Sequence, residues 1–329
     1  MLIPEFEKQS FTQVVFPHKN TDWNCCLEDA KRNFVAIINA IRTFQPCLVV
    51  CHDTKEVQSY FEDHTNIKFI EYTANDTWAR DSSALTVENN GEIKLLNFTF
   101  NAWGGKFDAE LDNNMSPAIA SVYSAPLEDV DLILEGGGVE SNGEGLILTT
   151  SECMLNPNRN KEFTKEQMTQ KLKEYFGAKE ILYLDHGYLA GDDTDSHIDT
   201  LARFISKDTI MYVACDNPQD EHYEALKKME DELKEFVIEH KLKLIKLPMS
   251  SAVYDEDERL PATYANFLLV NGGVIVPTYN VKEDAEALEI FKWAFPDRRI
   301  VGVDCSTLIR QHGSLHCVTM NFASGVTLL

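Results

Sequence analysis

The sequence predicts an α/β fold assembled from about five repeated strand, strand, helix, strand units. Three observations carry that prediction: regularly spaced hairpin turns, an amphipathic helix after most of them, and a short apolar strand after each helix. Four turns stand between apolar runs: VENNGEIKLL at Asn90 and Gly91, VESNGEGLIL at Asn142 and Gly143, FISKDTIMYV at Asp208, and LVNGGVIVP at Asn271 and Gly272. Asn-Gly favours a tight primed turn because both residues tolerate positive φ. Helical periodicity follows the last three turns, over 164–176, 219–238 and 282–293, and the strands ILYL, KLIKLP and RIVGVD come next. The unit recurs at roughly 65-residue spacing. The N-terminal part supplies FTQVVF, a helix over 27–43, CLVVC, a second helix near 55–62, and IKFIEY.

Units of this kind arranged radially close into a ring whose strand ends converge on a central cavity, as in propellers. A doubly wound sheet is the competing architecture, but no GxGxxG or GxxxxGK[ST] loop follows a strand, and EGGGVESNGEG reads as a turn entering a hairpin. The 329 residues are long enough for two domains. No Pro/Gly/Ser-rich linker divides them, so residues 1–329 are expected to form a single catalytic domain.

Hydrophobic (44%) and charged (25%) residues are mixed throughout, as in ordinary globular proteins. A formal net charge of -23 argues against a nucleic-acid partner, which needs clustered Lys and Arg. The same field attracts a small cation, although acidic balance also serves solubility. Neither a signal-peptide pattern nor an apolar run long enough to span a bilayer is present, which predicts a cytoplasmic protein without a membrane partner. Eight cysteines without a CxxC pair predict buried reduced thiols rather than a zinc site or a disulfide framework. No metal or organic cofactor is expected, and the sequence leaves open whether the chain forms a homo-oligomer.

Polar residues gather where apolar strands end: NDTWARD at 75–81, LEGGGVE at 134–140, GDDTDSHIDTLARF at 191–204 and QHGSLHCVTM at 311–320. A radial fold brings such strand ends together. Cys317 enters an apolar segment from a polar turn, a setting for a partly exposed thiol of lowered pKa, with a buried inert cysteine as the alternative. In SHIDTLARF, strand alternation places His197 and Asp199 on one face. Asp81 follows Trp78 and Glu135 precedes three glycines, so each carboxylate can sit in a concave wall, or simply pair with Arg80 or Arg203. Jointly, a thiol, an imidazole and three carboxylates suit a planar guanidinium, which carboxylates hold in bidentate geometry. A thiol amidase is the rival, but it needs an oxyanion hole rather than an excess of acid. A binding protein that has lost catalysis is the other.

The motifs NDTWARD, FNAWGGK, EGGG followed by LTTSECMLNPNRN, DDTDSHIDTLARF, LPATYANFLLVNGGVIVPTYN and HGSLHCVT together resemble those of agmatine deiminases, in order and over essentially the whole chain. The resemblance implies the five-bladed, pseudo-symmetric α/β propeller of the guanidine-modifying superfamily, in agreement with the repeat count. It also implies hydrolysis of agmatine to N-carbamoylputrescine and ammonia, a step toward putrescine. By the same resemblance Cys317 is the nucleophile, Asp81 and Asp199 grip the guanidinium, and His197 is acid and base. Glu135 orients His197 and touches the substrate. Trp78, Trp103 and Gly313 are expected to line the substrate channel, with Asp193 near the substrate ammonium. His316, next to Cys317, is expected on the opposite face as a loop-packing residue. The chain departs from the family pattern at Ser82, Ser83 and Ala84 after WARD, at Ser196 where glycine is usual, and at His312, Ser314 and Leu315 before HC. Deimination of free or peptidyl arginine is the alternative activity.

Overall fold

In the computed structural model, which describes residues 1–329, the chain forms five sheets of one recurring topology and a small extra hairpin. In four of the sheets a first strand pairs antiparallel with a second, and the second pairs parallel with a third. These are Leu85–Asn89, Glu92–Thr99 and Leu127–Ile133; Glu140–Ser141, Leu146–Thr150 and Glu180–Leu184; Ala202–Ser206, Thr209–Ala214 and Lys243–Pro248; and Leu268–Val270, Gly273–Thr278 and Arg299–Asp304. The fifth draws on both ends of the chain. Thr319–Ala323 pairs antiparallel with Gln9–Val15, which pairs parallel with Cys47–Cys51, and Ile67–Glu71 adds a fourth strand. The α/β class is as expected. Sequence periodicity does not disclose the pairing of Thr319–Ala323 with Gln9–Val15, because no turn joins them.

A parallel pair needs a crossover, and the main helices supply it. Lys165–Phe176 begins at a capping box formed by Thr164 and Gln167 and ends at Gly177, whose φ of 60° suits a residue without Cβ. Its buried positions Met168, Leu172 and Phe176 recur every four residues, one stripe facing the sheet. Burying each such side chain contributes about 1.5–3 kcal/mol. Tyr223–His240 buries Leu226, Met229 and Leu233 in the same way, and the strand beneath it, Thr209–Ala214, is buried at every residue.

The turns are more varied than Asn-Gly alone predicts. Asn90 and Gly91 both adopt positive φ, 52° and 84°, and make the primed turn. At Asn271–Gly272 only the glycine is left-handed. At Asn142 the strands have not yet met: its side chain accepts N–H bonds from Glu144 (2.8 Å) and Leu146 (2.9 Å), and Gly143 and Gly145 take the positive φ values of a longer turn.

One regularity prepares the chemistry. The segment just ahead of the first strand in each sheet carries a polar residue turned to a common centre: Asp81 before Leu85, Glu135 before Glu140, Asp199 before Ala202, Asn266 before Leu268 and Cys317 before Thr319.

Candidate active site

These five residues and His197 are all buried. His197 and Asp199 do not lie on a strand. Ile198–Thr200 is a 3-10 turn with His197 at its N-cap, so a helical turn, not strand alternation, brings both side chains inward. His197 Nδ1 is 3.6 Å from Asp81 Oδ1, and Nε2 is 3.8 Å from Glu135 Oε2. Cys317 Sγ lies 4.0 Å from Asp199 Oδ2 and 3.4 Å from Asn266 Oδ1. Neither ring nitrogen of His197, nor Asp199 Oδ1, has a hydrogen-bond partner within the protein. A buried polar atom left unpaired costs about 1–3 kcal/mol, so three together mark a place built for a polar ligand.

The glycines of EGGG act by closeness. A Cβ on Gly137 would stand 2.7 Å from His197 Nδ1, 2.9 Å from Asp81 Oδ1 and 3.1 Å from Asp199 Oδ2, and one on Gly136 would stand 2.3 Å from the Arg80 carbonyl. Only bare backbone fits where these groups converge. The Gly137 N–H also donates to Asp81 Oδ1 at 2.9 Å.

The charges sort into roles. Arg159 Nε reaches both Glu135 oxygens at 2.8 and 2.9 Å. Burial would raise the Glu135 pKa, but His197 and Arg159 hold it low. For His197, burial opposes the cation, yet Asp81, the Cys153 sulfur and Glu135 push its pKa well above the ordinary value. The ring therefore rests as an imidazolium. Burial, with Asp199 and Asp81 nearby, pushes the Cys317 thiol well up. Of the two settings the sequence leaves open, the buried one is found: Cys317 is 4% exposed and rests protonated, because two carboxylates face it and no cation is in contact with it.

A cavity of about 390 Å³ leads to Cys317 and Asp81, within the size range of small-molecule sites. Trp78, Trp103, Asp193 and Gly313 are among the residues that line it, and His197, Asp199 and Glu135 are not. Trp78 packs against Gly313, where a Cβ would come within 2.2 Å of the indole. Trp103 Nε1 donates to Asp81 Oδ2 at 3.0 Å. Ala102, Trp103, Gly104 and Gly105 all have positive φ and form one left-handed turn. Such backbone costs about 1–3 kcal/mol per non-glycine residue and persists only where neighbours enforce it. Here the Asp81 bond and the rings of Phe100 and Phe107 do so.

Ser196, in place of the family's glycine, keeps the left-handed φ of 62° that glycine adopts freely. Its hydroxyl donates to Glu152 (2.9 Å), its N–H to Asp192 (2.8 Å), and its carbonyl accepts from Thr150 (2.8 Å), so three hydrogen bonds hold the loop ahead of His197 in this conformation.

Three groups escape a motif-by-motif reading. Arg159 lies in LNPNRN and Asn266 in LPATYANF; the Asn266 Oδ1 accepts the N–H groups of His316 (2.8 Å) and Cys317 (3.3 Å). His316 is not a loop-packing residue. It is buried between Asp199 Oδ2 (2.7 Å) and Glu5 Oε2 (2.6 Å), an acidic setting as close as that of His197.

The thiol state has a measurable consequence. Iodoacetamide at pH 7 is expected to label exposed Cys25 before Cys317, since the thiolate is the reactive form. Peptide mapping checks this; selective labelling of Cys317 in the ligand-free protein is the contrary outcome.

Comparison with known proteins agrees with this geometry. The model of the Porphyromonas-type peptidyl-arginine deiminase family matches residues 1–322. A cysteine-to-serine variant of the C. jejuni agmatine deiminase, solved with substrate bound, is 42% identical with a TM-score of 0.94, covering 98% of this chain and 96% of that one. The agmatine deiminase of Enterococcus faecalis is 28% identical with a TM-score of 0.91, covering 98% and 95%. No helix is long and apolar enough to cross a membrane. With residues 1–322 matched, the chain belongs to the Porphyromonas-type peptidyl-arginine deiminase family and is a hydrolase acting on guanidino groups.

Proposed function

We propose that the protein is an agmatine deiminase, converting agmatine and water to N-carbamoylputrescine and ammonia through a thiouronium adduct on Cys317, in the direction of putrescine. The observation that carries the reading is the set of buried, unpartnered atoms on His197 and Asp199 beside Asp81 and Cys317. A guanidinium supplies donors to Asp199 Oδ1 and Asp81, and its charge offsets the two carboxylates that hold the thiol protonated. Substrate binding thereby lowers the Cys317 pKa at the moment a thiolate is needed.

Binding of the cation lets the thiol lose its proton to solvent through the cavity, and the sulfur then attacks the guanidinium carbon and forms the C–S bond while the C=N π pair moves onto nitrogen. The C–N bond to the departing nitrogen breaks with its electron pair, His197 gives that nitrogen a proton, and ammonia leaves. Water attacks the adduct and yields one proton to His197, the C–S bond breaks with its electron pair returning to sulfur, and the remaining hydroxyl proton passes to the sulfur, restoring the thiol and leaving the neutral carbamoyl product. Glu135, held by Arg159, orients His197. A direct contact of Glu135 with substrate is not part of the proposal, since its oxygens are engaged and it does not line the cavity. The C. jejuni cysteine-to-serine variant with its substrate bound supports the assignment of the cysteine.

The tail preference is read from the cavity mouth. Asp22, Asp76, Asp108, Asp112 and Asp193 line it, and no Lys or Arg does. Burial and the neighbouring carboxylates raise Asp76 well above its usual range, burial raises Asp112 to about 7, and burial beside Asp192 raises Asp193 to about 6. An ammonium tail relieves this accumulation, and a carboxylate tail aggravates it. Agmatine is therefore favoured over free arginine. The five-bladed radial arrangement and the single catalytic unit belong to the same reading; they are supported by five sheets of one topology whose leading segments each send a residue to one centre.

The test is ammonia release from agmatine, free arginine and an arginine peptide, side by side. Agmatine is expected to exceed arginine in kcat/KM by at least ~100-fold, since a charged contact that is favourable for one tail and repulsive for the other separates them by about 3 kcal/mol or more. The double variant Asp76→Asn, Asp112→Asn is expected to narrow that ratio. Equal rates on all three substrates would defeat the agmatine assignment while leaving the deiminase chemistry standing.

A further inference from the structure

Beneath Cys317 runs a second, enclosed set of charges that the chemistry above does not use. Glu5, from the segment before the first strand, has a side chain only 7% exposed; its Oε1 accepts the Leu269 N–H at 2.7 Å. Its Oε2 faces Arg80 Nη2 at 3.2 Å, Arg203 Nη2 at 3.1 Å and His316 Nε2 at 2.6 Å. The other nitrogen of His316 is 2.7 Å from Asp199 Oδ2. Arg203 also pairs with buried Glu140.

Two arguments fix the state of His316. Carboxylate oxygens only accept hydrogen bonds, and one faces each ring nitrogen at short range, so both contacts are favourable only when both nitrogens carry hydrogen. The charge count agrees. Glu5, Glu140 and Asp199 are three buried carboxylates, and Arg80 and Arg203 are two cations. A third cation is required for balance, since an uncompensated buried charge costs several kcal/mol. His316 is the remaining group in contact.

We propose that Glu5 and His316 are positioning residues for Asp199: Glu5 holds His316 as an imidazolium, and His316 engages Asp199 Oδ2 so that Asp199 stays ionised with Oδ1 turned to the guanidinium. This rests on the reading that Asp199 grips the substrate. The charged or titratable groups facing Asp199 are His316, His197, Arg203, Arg80, Asp81 and Cys317, and those facing His316 are Glu5, Asp199, Arg80, Arg203 and Glu140. Burial alone would raise Asp199, but His316 first, then His197 and Arg203, bring it below the ordinary carboxylate range. Removing His316 takes away the nearest of these cations. Asp199 then binds a proton at higher pH, and the protonated form does not hold a guanidinium.

The experiment is the pH profile of kcat/KM and KM for agmatine in wild type, His316→Gln, Glu5→Gln and Asp199→Asn. Loss of an opposite charge at contact moves a carboxylate by about one to three pH units. The acid limb of His316→Gln is therefore expected one to three units higher than in wild type, with KM raised ~10-fold one pH unit below the displaced limb and recovering above it. Glu5→Gln moves the same limb in the same direction by less. Asp199→Asn is expected to lose affinity at every pH.

A merely structural role for His316 lowers the amplitude without moving the limb, and that result overturns the proposal. An unchanged KM in Asp199→Asn overturns instead the reading beneath it. If the His316 and Glu5 variants do not fold, nitrogen-15 histidine NMR of wild type and His197→Gln decides. One imidazole keeping two N–H groups through pH 8 in both proteins supports the pair. Its absence, with each ring in His197→Gln carrying a single N–H, refutes it.

Discussion

Cys317→Ser is expected to bind agmatine and fail to turn it over, with kcat lower by on the order of 10⁴-fold. The reason is specific to this pocket. Burial, Asp199 and Asp81 already hold the thiol protonated until a cation arrives. A serine hydroxyl starts from a far higher pKa, and the same field disfavours its alkoxide more strongly. The grip on the guanidinium is untouched, because Asp81 keeps its bonds from the Gly137 N–H and Trp103, and Asp199 keeps its contact with His316. The dissociation constant is accordingly expected within ~10-fold of the wild-type KM. Calorimetric titration measures the affinity and ammonia release the turnover. Turnover within 100-fold of wild type would end the covalent mechanism, and a serine variant unable to bind agmatine would show that sulfur, not the carboxylates, carries the affinity.

The sequence made the repeat legible wherever strands of a sheet are joined by a turn. It did not reveal the sheet built from Gln9–Val15 and Thr319–Ala323, whose partners are separated by nearly the whole chain. The same divide holds for the centre. Asp81, Glu135, His197, Asp199 and Cys317 were found because each sits in a dense polar motif ahead of a strand. Asn266 stands at the equivalent place in the remaining unit, two residues before Leu268, where the repeat itself was the available signal. Its neighbours Ala265 and Phe267 are apolar, so no local cluster marked it. Arg159 and Glu5 had no such periodic place. Their roles come from contacts with Glu135 and His316 across 24 and 311 residues, which no pattern of spacing encodes. Alternation along an extended segment does not describe His316, because Leu308–Gln311 is a 3-10 turn, His312 is left-handed and residues 315–318 form a further turn. That turn points His316 to Asp199 while Cys317 lines the cavity.

His197→Gln is expected to slow both halves of the reaction, each by ~10²-fold or more, and the second half the more. The ring rests as an imidazolium because Asp81 and Glu135 flank it, which suits the first demand, a proton for the departing ammonia. Having given that proton it is neutral, and so becomes the base the second step needs when water attacks the adduct. Glutamine preserves volume and a donor but moves no proton. In the first step a bound, cationic substrate still attracts the sulfur, and ammonia can leave after slow protonation through solvent; in the second, nothing nearby replaces the base. Glu135 is engaged by Arg159, and His316 is held between Glu5 and Asp199. Adduct is therefore expected to accumulate in His197→Gln, seen by quenched-flow mass spectrometry as the enzyme mass plus the amidine fragment. Its hydrolysis should quicken as pH rises and hydroxide substitutes for the missing base. The matched control is His316→Gln, which at a pH above its raised limb is expected to form and clear adduct at rates near those of wild type. If His316→Gln traps the adduct there while His197→Gln clears it normally, the catalytic base is the other histidine.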